Sequence, residues 1–262
     1  MTNIIKKMYW ILSTQFGFDP RRLGYSLLGV PRYVAGWLRF RQGYKGEINF
    51  YPCLLDWYEE GGSTKNEYFL QDLHIARQIY LANPAKHIDI GSRIDGFVAH
   101  VAAFREIEVL DIRAVTSRIP GITFTQADLT VSSDSFKDCC DSLSCLHALE
   151  HFGLGRYGDS IDATGYIAGF VNMIGLLKPG GLFYLSVPVG RERVEFNAHR
   201  VFNPHSIVHL AFENDLILKS FDWIGQDHQV NPSLNIENDM VVLSKIDYAL
   251  GIFTFEKKNL EL

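Results

Sequence analysis

Three aspartates stand where short apolar runs end: Asp89 inside His87-Ile-Asp-Ile-Gly91, Asp111 after Ile107 to Leu110, and Asp128 after Ile122 to Gln126. A carboxylate at the tip of a strand can accept hydrogen bonds from both hydroxyls of a ribose, and Asp111 is placed for that about twenty residues beyond Gly91. Further on, His147, Glu150 and His151 fall within one short stretch, and His199 follows among arginines. An imidazole takes up a proton near neutral pH, so His151 is the first candidate base, His199 the second, and Glu150 a carboxylate to orient one of them. The Glu150-His151 pair reads equally as a loop organiser. His147 and His151 at i, i+4 also have metal-ligand spacing, a weaker reading, and no metal is expected. Arg156, Arg191, Arg193 and Arg200, with Tyr157 and Asn197 among them, offer guanidinium forks to a phosphate or carboxylate, or else pair with surface acids.

The elements that must hold these residues begin with Lys86 to Asp111, KHIDIGSRIDGFVAHVAAFREIEVLD. An apolar run stops at Gly91-Ser92, a helix-like segment runs from Gly96 to Phe104, and a second run ends on Asp111: a βαβ unit. Glycine at the strand end lets a ligand approach the backbone, and the helix should aim its free N–H groups and positive dipole end at the same crevice. An adenosine-type ligand is expected. The dinucleotide fingerprint G-x-G-x-x-G lacks its middle glycine, which favours a mononucleoside.

Further strands are expected at 122–126, 141–147, 182–187, 216–223 and 251–255, and helices at 68–80, 164–177 and 204–213. A polar loop and an apolar segment near Met240 to Leu243 separate the last two strands. Helix 68–80 reads as amphipathic through apolar positions 69, 70, 73, 76, 79 and 80, and Lys178-Pro-Gly-Gly181 stops helix 164–177. Alternation of this kind gives an α/β, doubly wound, mostly parallel sheet with ligands at the carboxyl ends of its strands.

With 262 residues, 47% of them hydrophobic, the chain can bury a large core without disulfides, and its four cysteines show no C-x-x-C spacing. No run of eighteen apolar residues and no signal-peptide pattern is present, so a reduced, cytoplasmic chain is expected. Charge is uneven: residues 1–46 hold eight Lys and Arg against the single acid Asp19, in a chain whose total is −5. Aromatic residues, Trp10, Phe16, Phe18, Trp37 and Phe40 among them, are interleaved with those bases. This arm reads either as helical packing on the core, with Pro20 and Pro31 breaking any long helix, or as a peripheral contact with the inner face of an anionic membrane. Nucleic acid is not an expected partner, because the remainder is acidic and no binding motif occurs. Residues 1–66 are therefore read as arm and connector, and 67–262 as the α/β domain.

In order along the chain, His87-Ile-Asp89-Ile-Gly91, Val109-Leu-Asp111, Ala127-Asp128, Leu146-His147-Ala-Leu-Glu150-His151 and LLKPGGLF resemble a class I S-adenosylmethionine-dependent methyltransferase over roughly residues 80–256. The resemblance implies a seven-stranded, Rossmann-like sheet with S-adenosylmethionine as cofactor. It implies Asp111 on the ribose, Asp128 on the adenine amino group, Gly91 and Ser92 along the methionine part, and Asp89 supporting that part through water. Ile112, Leu129 and His147 belong to the same cofactor set. Arg93 and Asp95 replace the second and third glycines of the superfamily loop, and Gly96 comes one step late; Arg93 either pairs with the cofactor carboxylate or blocks the pocket.

More narrowly, HIDIGSRIDGFVAH, CLHALEHFGLGRYGD and SVPVGRERVEFNAHRVFNP are similar to a methyltransferase-like family of unknown function whose bacterial members are tied to surface-polysaccharide genes. That implies O-methylation of a sugar or another small anionic acceptor in surface-glycan synthesis, with Arg156, Tyr157, Arg191, Arg193, Asn197 and Arg200 on the acceptor side. The competing expectation is a non-catalytic module of the same fold holding a glycan-assembly partner.

Overall fold

The computed structural model describes residues 3–62, 64–131 and 137–259; Ser63 of the expected connector lies outside them. The chain divides into two units, Met1–Ser63 and Thr64–Leu262.

In the first unit, α1 (Asn3–Trp10) runs into a π-helical turn (Ile11–Gln15), and α2 covers Pro20–Gly43. Asp19 starts α2 by accepting hydrogen bonds from the amides of Arg21 and Arg22, at 2.9 and 3.3 Å, and Pro20 occupies the first turn, where no amide donor is needed. Pro20 therefore marks a break as expected, but Pro31 does not: it lies inside a helix of 24 residues. Its ring removes one internal donor, a local loss that so long a helix survives. A short 3-10 turn (Asp56–Tyr58) follows a segment without regular secondary structure. No described helix is long and apolar enough to cross a membrane.

The second unit opens with α3 (Glu67–Ala82), N-capped by Asn66. Next come β1 (His87–Ile90), a π-helical turn (Ile94–Val98), α4 (Ala99–Ala102), β2 (Ile107–Asp111), β3 (Ile122–Gln126) and β4 (Cys140–Leu146). After a 3-10 turn (Leu149–His151) the chain forms α5 (Gly165–Leu176), β5 (Leu177–Val189), the hairpin β6 (Arg193–Glu195) with β7 (His199–Val201), and α6 (Pro204–Glu213). It ends with β8 (Leu216–Ile224), β9 (Val230–Pro232), α7 (Ile236–Leu243) and β10 (Ala249–Lys257).

One eight-stranded sheet has the order β3-β2-β1-β4-β5-β10-β8-β9. The five strands from β3 to β5 are mutually parallel, and β10 inserts antiparallel between β5 and β8. The doubly wound sheet is thus present, with an eighth strand beyond the seven expected: β9, from the loop read as polar, pairs at the edge with β8. Helix α5 ends at Leu176, directly before Lys178-Pro-Gly-Gly181 as expected, and the motif itself is a bulge at the start of β5, where pairing with β4 steps from Cys140–Leu177 to Ser142–Leu182.

Both faces of the central strands are covered, so their alternate residues enter two different cores. Ile88, Ile90, Leu110 and Leu143 pack with Phe170 and Met173 of α5 and Ile207 of α6. Val109, Leu146 and Ile252 pack with Ile75 and Ile79 of α3, Phe97 and Val101 on the other face. Register then sets Ile90 beside Leu110 and Asp111 beside Gln126, so the carboxyl ends of β1, β2 and β3 lie side by side.

Candidate active site

A cavity of about 300 Å³ opens at those strand ends, the size range of small-ligand sites. Each neighbouring strand contributes the residues at its tip: Gly91 and Ser92 after β1, Asp111 and Ile112 at β2, Asp128 and Leu129 after β3, and His147 and His151 after β4. Arg93, Arg156 and Tyr157 also line it.

Gly91 turns with φ +71°, and a Cβ there would lie 3.0 Å from the Cβ of Ala148, so the bare backbone reaches the cavity. Asp89, expected to support the cofactor through water, is fully buried and outside the lining. Its carboxylate accepts from the Ser92 amide at 3.0 Å, Ser92 Oγ at 2.7 Å and Ser144 Oγ at 2.5 Å, so it builds the turn that presents Ser92. Burial pushes Asp89 up to about 7 against the pull of those donors.

The expected helix from Gly96 to Phe104 is instead a π-helical turn followed by the four residues of α4. The amides of Gly96 and Val98 bond to Arg93 O, so donors expected to face the crevice are used locally. Arg93 forks onto Asp95 at 3.1 and 2.8 Å, both side chains being exposed. Gly96 is held against α3: a Cβ would come within 2.8 Å of Asp72 Oδ2. The glycine one step late thus serves close packing between the cofactor-type loop and α3.

At the end of β4, His147 adopts φ +54°, a left-handed conformation rare outside glycine. Its Nδ1 lies 2.9 Å from Glu150 Oε1, and its ring stacks on Tyr68, centroids 4.3 Å apart. Burial alone would lower the imidazole pKa, but the hydrogen bond and charge of Glu150, reinforced by Glu67 and Asp72, hold it above the ordinary value. Burial likewise opposes ionisation of Glu150, and His147 and His151 hold it below the usual carboxylate value. The two form a buried ion pair. Glu150 itself is 1% exposed and does not line the cavity.

His151 has its Nδ1 2.7 Å from Ala198 O, and a carbonyl can only accept, so Nδ1 carries the proton and Nε2 the lone pair. Burial lowers its pKa, while Glu150 Oε1, 3.8 Å from Nε2, pulls the other way. Arg156 Nη1 donates to the same Ala198 O at 2.8 Å and its guanidinium lies over Tyr157, which ties the β6–β7 hairpin to the cavity wall.

His199, Arg191, Arg193, Asn197 and Arg200 do not line the cavity. Arg191 is paired with Asp247, and Arg193 bonds Glu195 at 3.0 Å and Asp247 O at 2.8 Å. Arg200 is buried and donates to the carbonyls of Phe152 and Ala163, at 2.5 and 3.3 Å, as a brace for the loop after β4. His199, half-buried, faces the ring of Tyr248 edge-on. Spacing along β5–β7 put these residues near the mouth, but their own acids and carbonyls hold them elsewhere. Among the described residues, no group of three or more His, Cys, Asp or Glu could hold a metal ion.

Sequence reading missed Tyr68, Gln71, Asp72, Arg113 and Asp159, all of which line the cavity. The phase of α3 was misjudged. Gln71, Asp72, Ile75, Ala76 and Ile79 are its buried face, whereas Phe69, Leu73 and Tyr80 are exposed. Polar residues in step with Ile75 and Ile79 were the available signal that this helix covers a polar cavity with its first turns.

Solved structures of low sequence identity share the fold. The N-methyltransferase NodS from Bradyrhizobium japonicum WM9, in complex with S-adenosyl-L-homocysteine, matches with TM-score 0.51 and 16% identity over 74% of this chain and 89% of that one. A Burkholderia thailandensis 1,6-didemethyltoxoflavin-N1-methyltransferase with bound 1,6-didemethyltoxoflavin and S-adenosylhomocysteine gives 0.53 and 13% over 78% and 81%. The [4+2]-cyclase SpnF gives 0.52 and 14% over 72% and 80%, so the neighbours' reactions are not all methyl transfer. No curated protein sequence matches the chain. Residues 100–245, from within α4 through α7, match a family model, and the chain belongs to that family, described as Caenorhabditis protein of unknown function, DUF268.

Proposed function

We propose that this chain is an S-adenosylmethionine-dependent methyltransferase. One observation supports the reading above others: Gly91, Asp111 and Asp128 stand on the tips of three adjacent parallel strands around a cavity that also holds His151. The residues fit the cofactor. Asp111 suits a ribose, Ile112 and Leu129 give a flat base apolar faces beside Asp128, and the bare backbone of Gly91 with Ser92 suits an amino-acid moiety. His147 Nε2, buried without a hydrogen-bond partner, is a polar atom that a ligand can satisfy.

When bound, the cofactor would supply an electrophilic methyl group. The chain's own part is to hold the acceptor at that group and take its proton. His151 is the base. Its lone pair is on Nε2, burial keeps it neutral at neutral pH, and buried Glu150 stabilises the imidazolium that forms. The acceptor is a sugar hydroxyl on a small molecule with an anionic group opposite Arg156, the one of the four candidate arginines that lines the cavity. The surface-glycan setting rests on the sequence resemblance alone.

A non-catalytic module of the same fold is the second reading, favoured by Arg113, whose guanidinium already holds Asp111. Thermal melting with and without S-adenosylmethionine and S-adenosylhomocysteine separates them. Ligand at about 100 times Kd adds roughly 2.7 kcal/mol, several degrees for a chain of this length. That shift, abolished in Asp111→Ala, is the expected result; no shift at saturation selects the second reading.

A further inference from the structure

The first unit carries an apolar face that the rest of that unit leaves open. Successive helical residues are separated by about 100°, so Leu23, Leu27, Val30, Val34 and Leu38 fall on one stripe of α2 within about 80° of arc. All five are between 43% and 65% exposed. The segment after α2 packs on the other side. Tyr58 meets Tyr25 at 4.9 Å, Phe50 meets Tyr33 edge-on at 5.1 Å, and Arg32 lies over Trp57 at 4.5 Å. Leu54 presses against Gly29, where a Cβ would lie 2.6 Å from Leu54 O, and Gly29 is the one buried residue among those described in this unit. The covered face is thus the aromatic and glycine face, about 150° around the helix from the aliphatic stripe. Met8, Trp10, Ile11, Leu12, Phe16 and Phe18, ahead of α2, are exposed as well.

Charge identifies what this face meets. The helical segments 3–15 and 20–43 contain seven Lys and Arg and no Asp or Glu. Two copies brought together along such helices would repel, whereas an anionic lipid surface attracts them and receives the stripe into its acyl boundary. We propose that α1 and α2 lie in the surface of an anionic bilayer, with Leu23, Leu27, Val30, Val34 and Leu38 inserted and Arg41, which shares their side of the helix and lies over the Trp37 ring, at headgroup level. The inference is independent of the chemistry at the cavity.

The test is co-sedimentation of the full chain with vesicles of phosphatidylcholine alone and of phosphatidylcholine mixed with phosphatidylserine, at low and physiological salt. Pelleting with the mixture, weakened by salt and by about fivefold for Arg41→Gln, is the expected outcome. Leu27→Glu with Val34→Glu should abolish it while circular dichroism and the melting temperature stay unchanged, since both residues are exposed. No pelleting with the mixture at low salt, or equal pelleting with phosphatidylcholine alone, overturns the proposal. So does a concentration-dependent dimer in light scattering that the double variant disrupts without any vesicle binding.

Discussion

Arg113 closes on Asp111 from two residues away, its Nε and Nη2 meeting the two carboxylate oxygens at 3.0 and 2.5 Å while its own amide donates to Oδ1 at 2.8 Å. The guanidinium also reaches Gly91 O at 3.3 Å and sits 4.6 Å from the Tyr157 ring centroid, so it bridges the tips of β1 and β2. A ribose at Asp111 must displace it. The guanidinium is half-exposed and solvent-screened although the carboxylate is buried; at about 0.4–1 kcal/mol for the pair, Arg113→Ala should tighten S-adenosylhomocysteine binding about two- to fivefold in calorimetry. Weaker binding in that variant would assign Arg113 to holding the ligand instead.

The His147–Glu150 pair sets a pH window for stability. Glu150 is held below its ordinary value of 4.5, so its contribution is complete above that pH and is lost as pH falls through the folded-state pKa. His147 is raised above 6.5, so its contribution is complete below that pH and is lost as pH rises through the folded-state pKa. Asp89, raised to about 7, adds a contribution present at low pH that fades between 3.8 and about 7. Glu150→Gln leaves the buried His147 without its counter-ion, at a cost of about 3 kcal/mol. It should also flatten the acid limb of a plot of melting temperature against pH. A variant curve running parallel to that of the wild type would show that the pair is not ionised.

Most of the sheet and the tips of its first four strands were legible in the sequence, because a strand buried on both faces reads as an apolar run and its end is marked by Gly91, Asp111 or Asp128. What the period of α3 hid was a mixed face: Gln71 and Asp72 are buried because they cover a polar cavity, and a purely apolar template assigned Leu73 inward instead. The arginines after β5 illustrate the opposite error. Nearness in sequence to a strand end placed Arg191, Arg193 and Arg200 at the mouth, whereas Asp247, Glu195 and the Phe152 carbonyl, which no spacing rule pairs with them, decide where they point.

Gly96 and Asp72 make a sharp steric prediction. A methyl group on Gly96 would stand 2.8 Å from Asp72 Oδ2, and Asp72 is itself fixed by Gln71 at 2.9 Å. Gly96→Ala should cost about 1–3 kcal/mol, as overpacking of a buried contact does. Adding Asp72→Ala should recover part of that loss, which denaturant melts of the single and double variants would read as a coupling. Additive losses would place the strain elsewhere.

If the acceptor carries an anionic group, Arg156, Arg191 and Arg193 should separate. Arg156→Ala should raise KM for such an acceptor, by up to about tenfold for a charge-assisted bond at an exposed site. Arg191→Ala and Arg193→Ala should leave kinetics unchanged, since those side chains are committed to Asp247 and Glu195. Equal effects at all three positions would return the hairpin to the acceptor site.

Proton removal by His151 fixes the acid side of the rate profile. Its Nδ1 is committed to Ala198 O, so the reacting atom is Nε2, and burial puts its pKa below the ordinary 6.5. The rate should therefore fall only as pH drops below that value, because protonation of Nε2 removes the base. His151→Asn keeps a donor for Ala198 O but has no basic atom, and should lower kcat by about 10²–10⁴ and abolish that limb. Cofactor affinity, measured separately by calorimetry, should stay within a few-fold, since the ribose and base are assigned to Asp111 and Asp128. A variant that binds cofactor normally and keeps both rate and limb would remove His151 as the base. His199, which faces Tyr248 outside the cavity, does not become the replacement, nor does Tyr68, which lines the cavity but is pushed up to about 12 by burial and the nearby carboxylates and so is poorly suited to accept a proton at neutral pH.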